Sequence, residues 1–252
     1  MVSQSPDRNS FLAALPAAVY GLFRPYLTTM KLTTGERLQG LGSTVEQVVF
    51  PHDGLIALTM PLRNGAGGGA VLLGRKGILG VIEAAADAPA MCDAEVLIAG
   101  GAAQMSASSF RLILDQSPAI RRLAARYTVA LMVQAHQTAL CNAAHPLEAR
   151  TARLLLEVQD RWGEPDVPLT QTTLSRMLAV QRTTLNQAVG DLEAAGSIEC
   201  HRGSIAIVRR DLLERHACDC YRSLKSYIST LFAVPVAAVP ASQIEPSPPK
   251  SA

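Results

Sequence analysis

No apolar run in this 252-residue chain reaches the roughly 18–20 residues needed to cross a bilayer, so no membrane-spanning segment is expected. Met1 to Pro16 lacks a basic start followed by an apolar block. It carries Gln4, Asp7, Arg8 and Asn9 instead, and a secretory leader is not expected. Charge is also scarce. Charged residues make up 17% of the chain, below the roughly 25% typical of globular proteins. With 23 Lys+Arg against 21 Asp+Glu the net charge is only +2, which excludes a histone-like protein or a polybasic membrane binder. Any affinity for nucleic acid must come from a local surface. Cysteine forms no disulfide framework: Cys92, Cys141, Cys200, Cys218 and Cys220 are odd in number and irregular in spacing, which points to a reduced, cytoplasmic setting. There is no Ser/His/Asp or metal-hydrolase arrangement, so an enzyme is not expected. Gly65 to Gly69 lacks the Gly-Lys-Ser/Thr of a phosphate loop and reads as a hairpin turn.

Apolar residues make up 48% of the chain, enough for two domains or one large one. From about Gly35 to Met105, short apolar runs alternate with turn residues. Val45 to Phe50, Leu55 to Met60, Ala70 to Leu73 and Glu95 to Ala99 are separated by Pro51-His52-Asp53-Gly54, the run from Asn64 to Gly69, and Gly100-Gly101. This predicts an antiparallel, jelly-roll-like sheet. After Ser117-Pro118, a helix start with Pro at its first position, no Gly or Pro interrupts Ala119 to Ala144. Ile120, Leu123, Tyr127, Ala130 and Gln134 recur in steps of three and four, the pattern of a helical seam against a partner chain.

His145-Pro146 ends that helix, because the residue before Pro is pushed out of helical geometry. A second helix runs to about Trp162, taken as a core residue, and is closed by Gly163. A short helix to Leu178, a turn at Ala179-Val180-Gln181, and a helix from Arg182 to Ala195 follow. Ile198–His201 and Ile205–Val208 then flank Arg202-Gly203 as a hairpin. Helix, helix–turn–helix and hairpin in this order make a winged helix–turn–helix. Leu174, Met177, Leu178, Leu185, Val189 and Leu192 mark the inward faces. Arg182, Thr183, Asn186 and Gln187 are left on one side of the second helix near its start. Such helices read base edges with their N-terminal residues: Arg can bond guanine O6 and N7, Asn or Gln adenine N6 and N7, and Thr the thymine methyl. Thr170 can cap the preceding helix and leave its N-terminal donors for a phosphate.

The arrangement Leu169-Thr170-Gln171, Leu174-Ser175, Leu178 to Asn186, Leu192-Glu193 and Gly196-Ser197-Ile198 resembles the DNA-binding domain of the bacterial Crp/Fnr transcription regulators. Phe50 to Leu58 and Gly74 to Gly80 resemble the sensory β-roll of that family, and residues 117–144 its dimerisation helix. The resemblance implies an α+β chain of four parts. Residues 1–110 are a cyclic-nucleotide-binding-like β-roll with N-terminal helices. Residues 111–144 are the dimerisation helix, 145–232 the winged helix–turn–helix, and 233–252 a disordered Pro-rich tail. It implies a homodimer on a near-palindromic double-stranded operator, with RNA polymerase as a further partner and no membrane. Arg182, Thr183, Asn186 and Gln187 are expected to read bases. Thr170, Gln171, His201 and Arg202 are expected to hold the backbone. The rival expectation is a ligand-binding or partner-docking module that no longer reads DNA, since residues 145–232 balance 11 Lys+Arg with 11 Asp+Glu.

Three departures from the family shape the expectations. Ala179 stands where the turn usually has Gly, and a left-handed Ala costs on the order of 1 kcal/mol. Gly80 is followed by Val81 rather than Glu, and Gly77 to Phe110 holds no Lys or Arg, so a cyclic nucleotide such as cyclic AMP is not the expected effector. No cysteine cluster lies near the N-terminus for an iron–sulfur centre. Cys200, His201, His216, Cys218 and Cys220 match no common zinc spacing, and Cys218 and Cys220 would diverge on a helix. No metal or other cofactor is expected.

Overall fold

The computed structural model describes residues 9–61 and 67–233. The expected frayed start and Pro-rich tail lie almost wholly outside the described residues. Two short helices, α1 (Ser10–Ala13) and α2 (Ala17–Phe23), and a 3-10 turn precede seven strands. These are β1 (Thr28–Leu32), β2 (Arg37–Gln39), β3 (Gln47–Pro51), β4 (Leu55–Pro61), β5 (Gly67–Leu73), β6 (Asp93–Ile98) and β7 (Gly100–Ser106), with helix α3 (Val81–Ala86) between β5 and β6. They form two antiparallel sheets, β1-β7-β3 and β2-β6-β4-β5, which make the expected roll. Two turn assignments shift. Gly67 to Gly69 and Gly100-Gly101 are strand residues. At Gly100 a Cβ would lie 2.5 Å from the Asp53 carbonyl oxygen, so the glycine is there for close backbone approach rather than for a bend.

Few aromatics are available, and they are concentrated in the roll. Phe23, Phe50 and Phe110 are fully buried, with ring centroids 6.2 Å apart for Phe23–Phe50 and 6.3 Å for Phe23–Phe110. Phe110 sits on α4 (Ala107–Gln116), which Ser106 caps by accepting from the Ser109 N–H. Ser117 then caps α5 (Pro118–Ala144), whose 27 residues span about 40 Å.

The faces of α5 differ from the expectation. Ile120, Leu123, Tyr127 and Ala130 are buried, and the first three belong to the roll's own core. The Ile78 N–H donates to the Tyr127 hydroxyl at 2.6 Å. Gln134 is half-buried, and its Oε1 accepts from Arg161 Nη2 at 3.2 Å. The five seam residues therefore face inward, toward the chain's own elements. Ala125, Val129, Met132, His136, Ala139 and Ala143 repeat in the same steps and are exposed. A period of three and four identifies an apolar face but not what covers it.

Beyond α5, α6 (Leu147–Trp162) ends at Gly163 in a left-handed conformation, φ +94. A three-stranded sheet of order β8-β10-β9 follows, made of β8 (Asp166–Val167), β9 (Ile198–His201) and β10 (Ser204–Ile207). Between β8 and β9 lie α7 (Gln171–Leu178) and α8 (Arg182–Ala194). The chain then adds α9 (Arg210–His216) and α10 (Cys220–Ala233). Leu155, Leu156, Leu174, Leu185, Leu192 and Leu213 are fully buried at the centre of this half.

This half is docked on the roll. Leu55, Ala57, Leu72, Leu97 and Ile98 of the roll share one buried cluster with α6, α7 and α8. Arg176 Nη2 meets Glu95 Oε1 at 3.0 Å. Arg161 ties three elements: its Nε donates to the Leu72 carbonyl of β5 at 3.0 Å, its Nη2 to Gln134 of α5, and its Nη1 to the Glu157 carbonyl of α6 at 2.8 Å.

Candidate nucleic-acid interface

Thr170 caps α7 by accepting from the Thr173 N–H at 3.1 Å, as its residue type predicts. Leu174, Met177 and Leu178 bury one face of α7, and Leu185, Val189 and Leu192 the opposing face of α8. Ser175 is small and buried between them, and its hydroxyl donates to the Thr172 carbonyl. The turn keeps its left-handed residue although it is Ala: Ala179 has φ 53 and ψ 45, and its N–H donates to the Arg176 carbonyl at 3.2 Å. The geometry is retained and the strain is carried by the Ala.

Gln181 precedes α8 without a side-chain cap, so no side chain occupies the helix's first N–H donors. Arg182, Thr183, Asn186 and Gln187 are all exposed, while Leu185 between them and Ala188 and Val189 just after them are buried. The four polar side chains span five residue steps, about 7.5 Å of helix rise. They form a compact cluster of donors and acceptors at the head of the helix.

The wing turns at Gly203, φ +96, with His201 and Arg202 exposed at its tip. Its base is fastened to α8 by the Cys200 N–H, which donates to Glu193 Oε1 at 2.8 Å, and by the buried Ser197 hydroxyl, which donates to the Leu192 carbonyl at 2.7 Å. Thr170 is exposed. Gln171 is half-buried and lies within 3.9 Å of Cys200 Sγ, so part of its side chain is already occupied. Among the residues named from sequence, the structure brings α8's four and the α7 cap onto one helix–turn–helix, flanked by the wing.

The Cys/His group named from sequence separates. His216 Nδ1 lies 2.6 Å from Glu148 Oε1, Cys200 stays with the wing, and His201 is at its tip. Cys218 precedes α10 rather than lying on it. It and Cys220 therefore turn the same way, toward Cys141 and His145 at the end of α5. Sequence spacing could not show this, because Cys141 and Cys218 are 77 positions apart.

Comparison with known proteins agrees with this geometry. Residues 149–216 match the Crp-like helix-turn-helix domain. FixK2 from Bradyrhizobium japonicum superposes with a TM-score of 0.62 at 16% identity, covering 76% of this chain and 98% of that one. The c-di-GMP responsive global regulator CLP from Xanthomonas campestris gives 0.62 at 12% identity, over 76% and 99% of the two chains. A CRP-family transcriptional regulator from Thermus thermophilus gives 0.62 at 18%, over 75% and 96%. No curated protein matches the sequence. Residues 149–216 are thus a Crp-like helix–turn–helix domain, and the chain as a whole has the fold of the Crp/Fnr transcription regulators.

Proposed function

We propose that this protein is a dimeric, sequence-specific DNA-binding transcription regulator. The observation that carries the reading is the exposed quartet Arg182, Thr183, Asn186 and Gln187 at the uncapped head of α8, on a helix held rigid by its buried face. Arg182 and Gln187 supply bidentate partners for guanine and adenine, each worth about 1–3 kcal/mol of discrimination. Thr170, His201 and Arg202 flank them as backbone contacts, with Gln171 a lesser one because it is half-buried. The exposed α5 stripe from Ala125 to Ala143 is the face we assign to a second copy of the chain. Two copies related by a two-fold axis would place two α8 helices in major grooves about 34 Å apart. An input to the roll would reset that spacing through α5, a coupling between two sites. The acidic, cation-free stretch from Gly77 to Phe110 argues for an effector other than a cyclic nucleotide.

Selection from a random duplex pool, followed by titration over a range of salt, tests the reading. Arg182→Ala should relax preference at one base pair. Arg202→Ala should weaken all sequences together and reduce the salt slope by about one unit. Equal loss of discrimination in both variants, or no duplex binding at low salt, refutes the assignment.

A further inference from the structure

The end of α5 and the start of α10 bring four chemistry-bearing side chains together outside the DNA-facing surface. The Sγ atoms of Cys141, Cys218 and Cys220 and a ring nitrogen of His145 all lie within 4.8 Å of one another. Cys141 Sγ is 3.4 Å from Cys218 Sγ, and Cys220 Sγ is 3.6 Å from His145 Nδ1. A tetrahedral ion with metal–sulfur bonds of about 2.3 Å holds its sulfurs about 3.8 Å apart. The Cys141–Cys218 and Cys220–His145 pairs already stand within a few tenths of an ångström of such edges, and no pair of the four is more than 4.8 Å apart. Burial of thiols as small apolar groups is common. It gives no reason for three of them to point their sulfurs at each other and at an imidazole nitrogen.

We propose that Cys141, His145, Cys218 and Cys220 form a closed tetrahedral site for one zinc-class divalent ion. Three thiolates and one imidazole are a donor set of structural zinc, and the borderline-soft ion matches soft sulfur. All three thiols are buried, as a site without an open water position requires. Gln137 Nε2 donates to Cys220 Sγ at 2.9 Å, the type of outer hydrogen bond that orients a metal ligand. The ligands bind as thiolates, so uptake of the ion displaces the thiol protons to solvent. The nearby Arg150 and Arg153 guanidiniums offset the residual negative charge of a Cys3His complex. The ion ties the last turn of α5 to α10 across the His145-Pro146 break, where the DNA-binding half leaves the long helix.

The test uses the full chain, reduced and stripped with a chelator under anaerobic conditions, and titrated with cobalt(II). One equivalent should produce the intense visible bands of a tetrahedral sulfur-rich site and a thiolate-to-cobalt charge-transfer band, both lost on adding zinc(II). Cys218→Ala and Cys220→Ala should shrink the charge-transfer band and weaken binding by more than about tenfold, and Gln137→Ala should weaken it by about tenfold. His145→Ala should shift the visible bands, while Cys92→Ala and Cys200→Ala should match the parent. Circular dichroism of each variant separates loss of a ligand from loss of the fold, and the parent spectrum stands without any variant. Reduced parent that takes up no cobalt, or only six-coordinate cobalt, overturns the proposal. So does a Cys141–Cys218 disulfide whose reduction restores no uptake, or equal uptake by a folded Cys218→Ala/Cys220→Ala double variant.

Discussion

Replacing Tyr127 with Phe removes one oxygen and leaves the ring's packing unchanged, so it tests which way α5 faces. The Tyr127 hydroxyl accepts from the Ile78 N–H at 2.6 Å, and both residues are buried. Burial pushes the phenol up, so it remains a neutral hydroxyl. No water can replace the lost acceptor at such a site. The orphaned N–H should therefore cost about 1–3 kcal/mol, the penalty for a buried unsatisfied donor. At about 2–4 °C per kcal/mol for a chain of this size, a loss near 2 kcal/mol lowers the melting temperature by roughly 4–8 °C. In urea the midpoint should fall with the slope unchanged, because the surface exposed on unfolding is the same. Sedimentation equilibrium on the same variant should show an unchanged self-association constant. Undiminished stability together with weakened self-association would refute the reasoning and return Tyr127 to a subunit seam.

Met132→Glu, on the exposed stripe of α5, should shift the protein to monomer in sedimentation while leaving the monomer's circular dichroism intact. Ala179→Gly relieves a left-handed Ala at φ 53 and should raise unfolding stability by up to about 1 kcal/mol, read as a higher urea midpoint. Asp160 supplies an acid-sensitive contact. Burial acts to raise its carboxyl, but hydrogen bonds from Tyr221 and Lys225 and the charge of Arg210 outweigh that and hold it below the usual carboxylate range. Because its folded pKa is depressed, its contribution is full above the unfolded value of 3.8 and disappears as the pH falls through the lower folded value. Acid titration followed by circular dichroism should show that step, and Asp160→Asn should remove it.

Local signals in the sequence were sufficient wherever one segment determines its own geometry. Pro118 at a first helical position, His145-Pro146 and Gly163 mark helix ends that the structure places within a residue or two. The alternation of Leu174, Met177 and Leu178 with Leu185, Val189 and Leu192 makes a helix–turn–helix legible because both helices pack on each other within one short segment. What escaped depends on contacts between distant segments. On α5, Ile120 and Tyr127 look the same whether they meet a second copy or the chain's own Ile78, and Val129 and Met132 supply a second apolar stripe on the same helix. The meeting of Cys141 with Cys218 depends on where α10 returns, which no pattern around Cys218-Asp219-Cys220 encodes. Gly100 reads as a turn from sequence, but its strand role depends on the Asp53 carbonyl across the sheet.

Arg161 gives the docked arrangement a property that no apolar contact supplies. One planar cation with several donors in fixed directions reaches a strand carbonyl, a helix amide and its own helix at once. The helix–turn–helix half cannot rotate against the roll without that fork releasing at least one limb. Lysine would keep the charge but offers a single ammonium point, which cannot span the three acceptors. The orientation of the helix–turn–helix relative to the roll is therefore fixed in part by the directions of one side chain's donors, and a swap that preserves charge there would blur it.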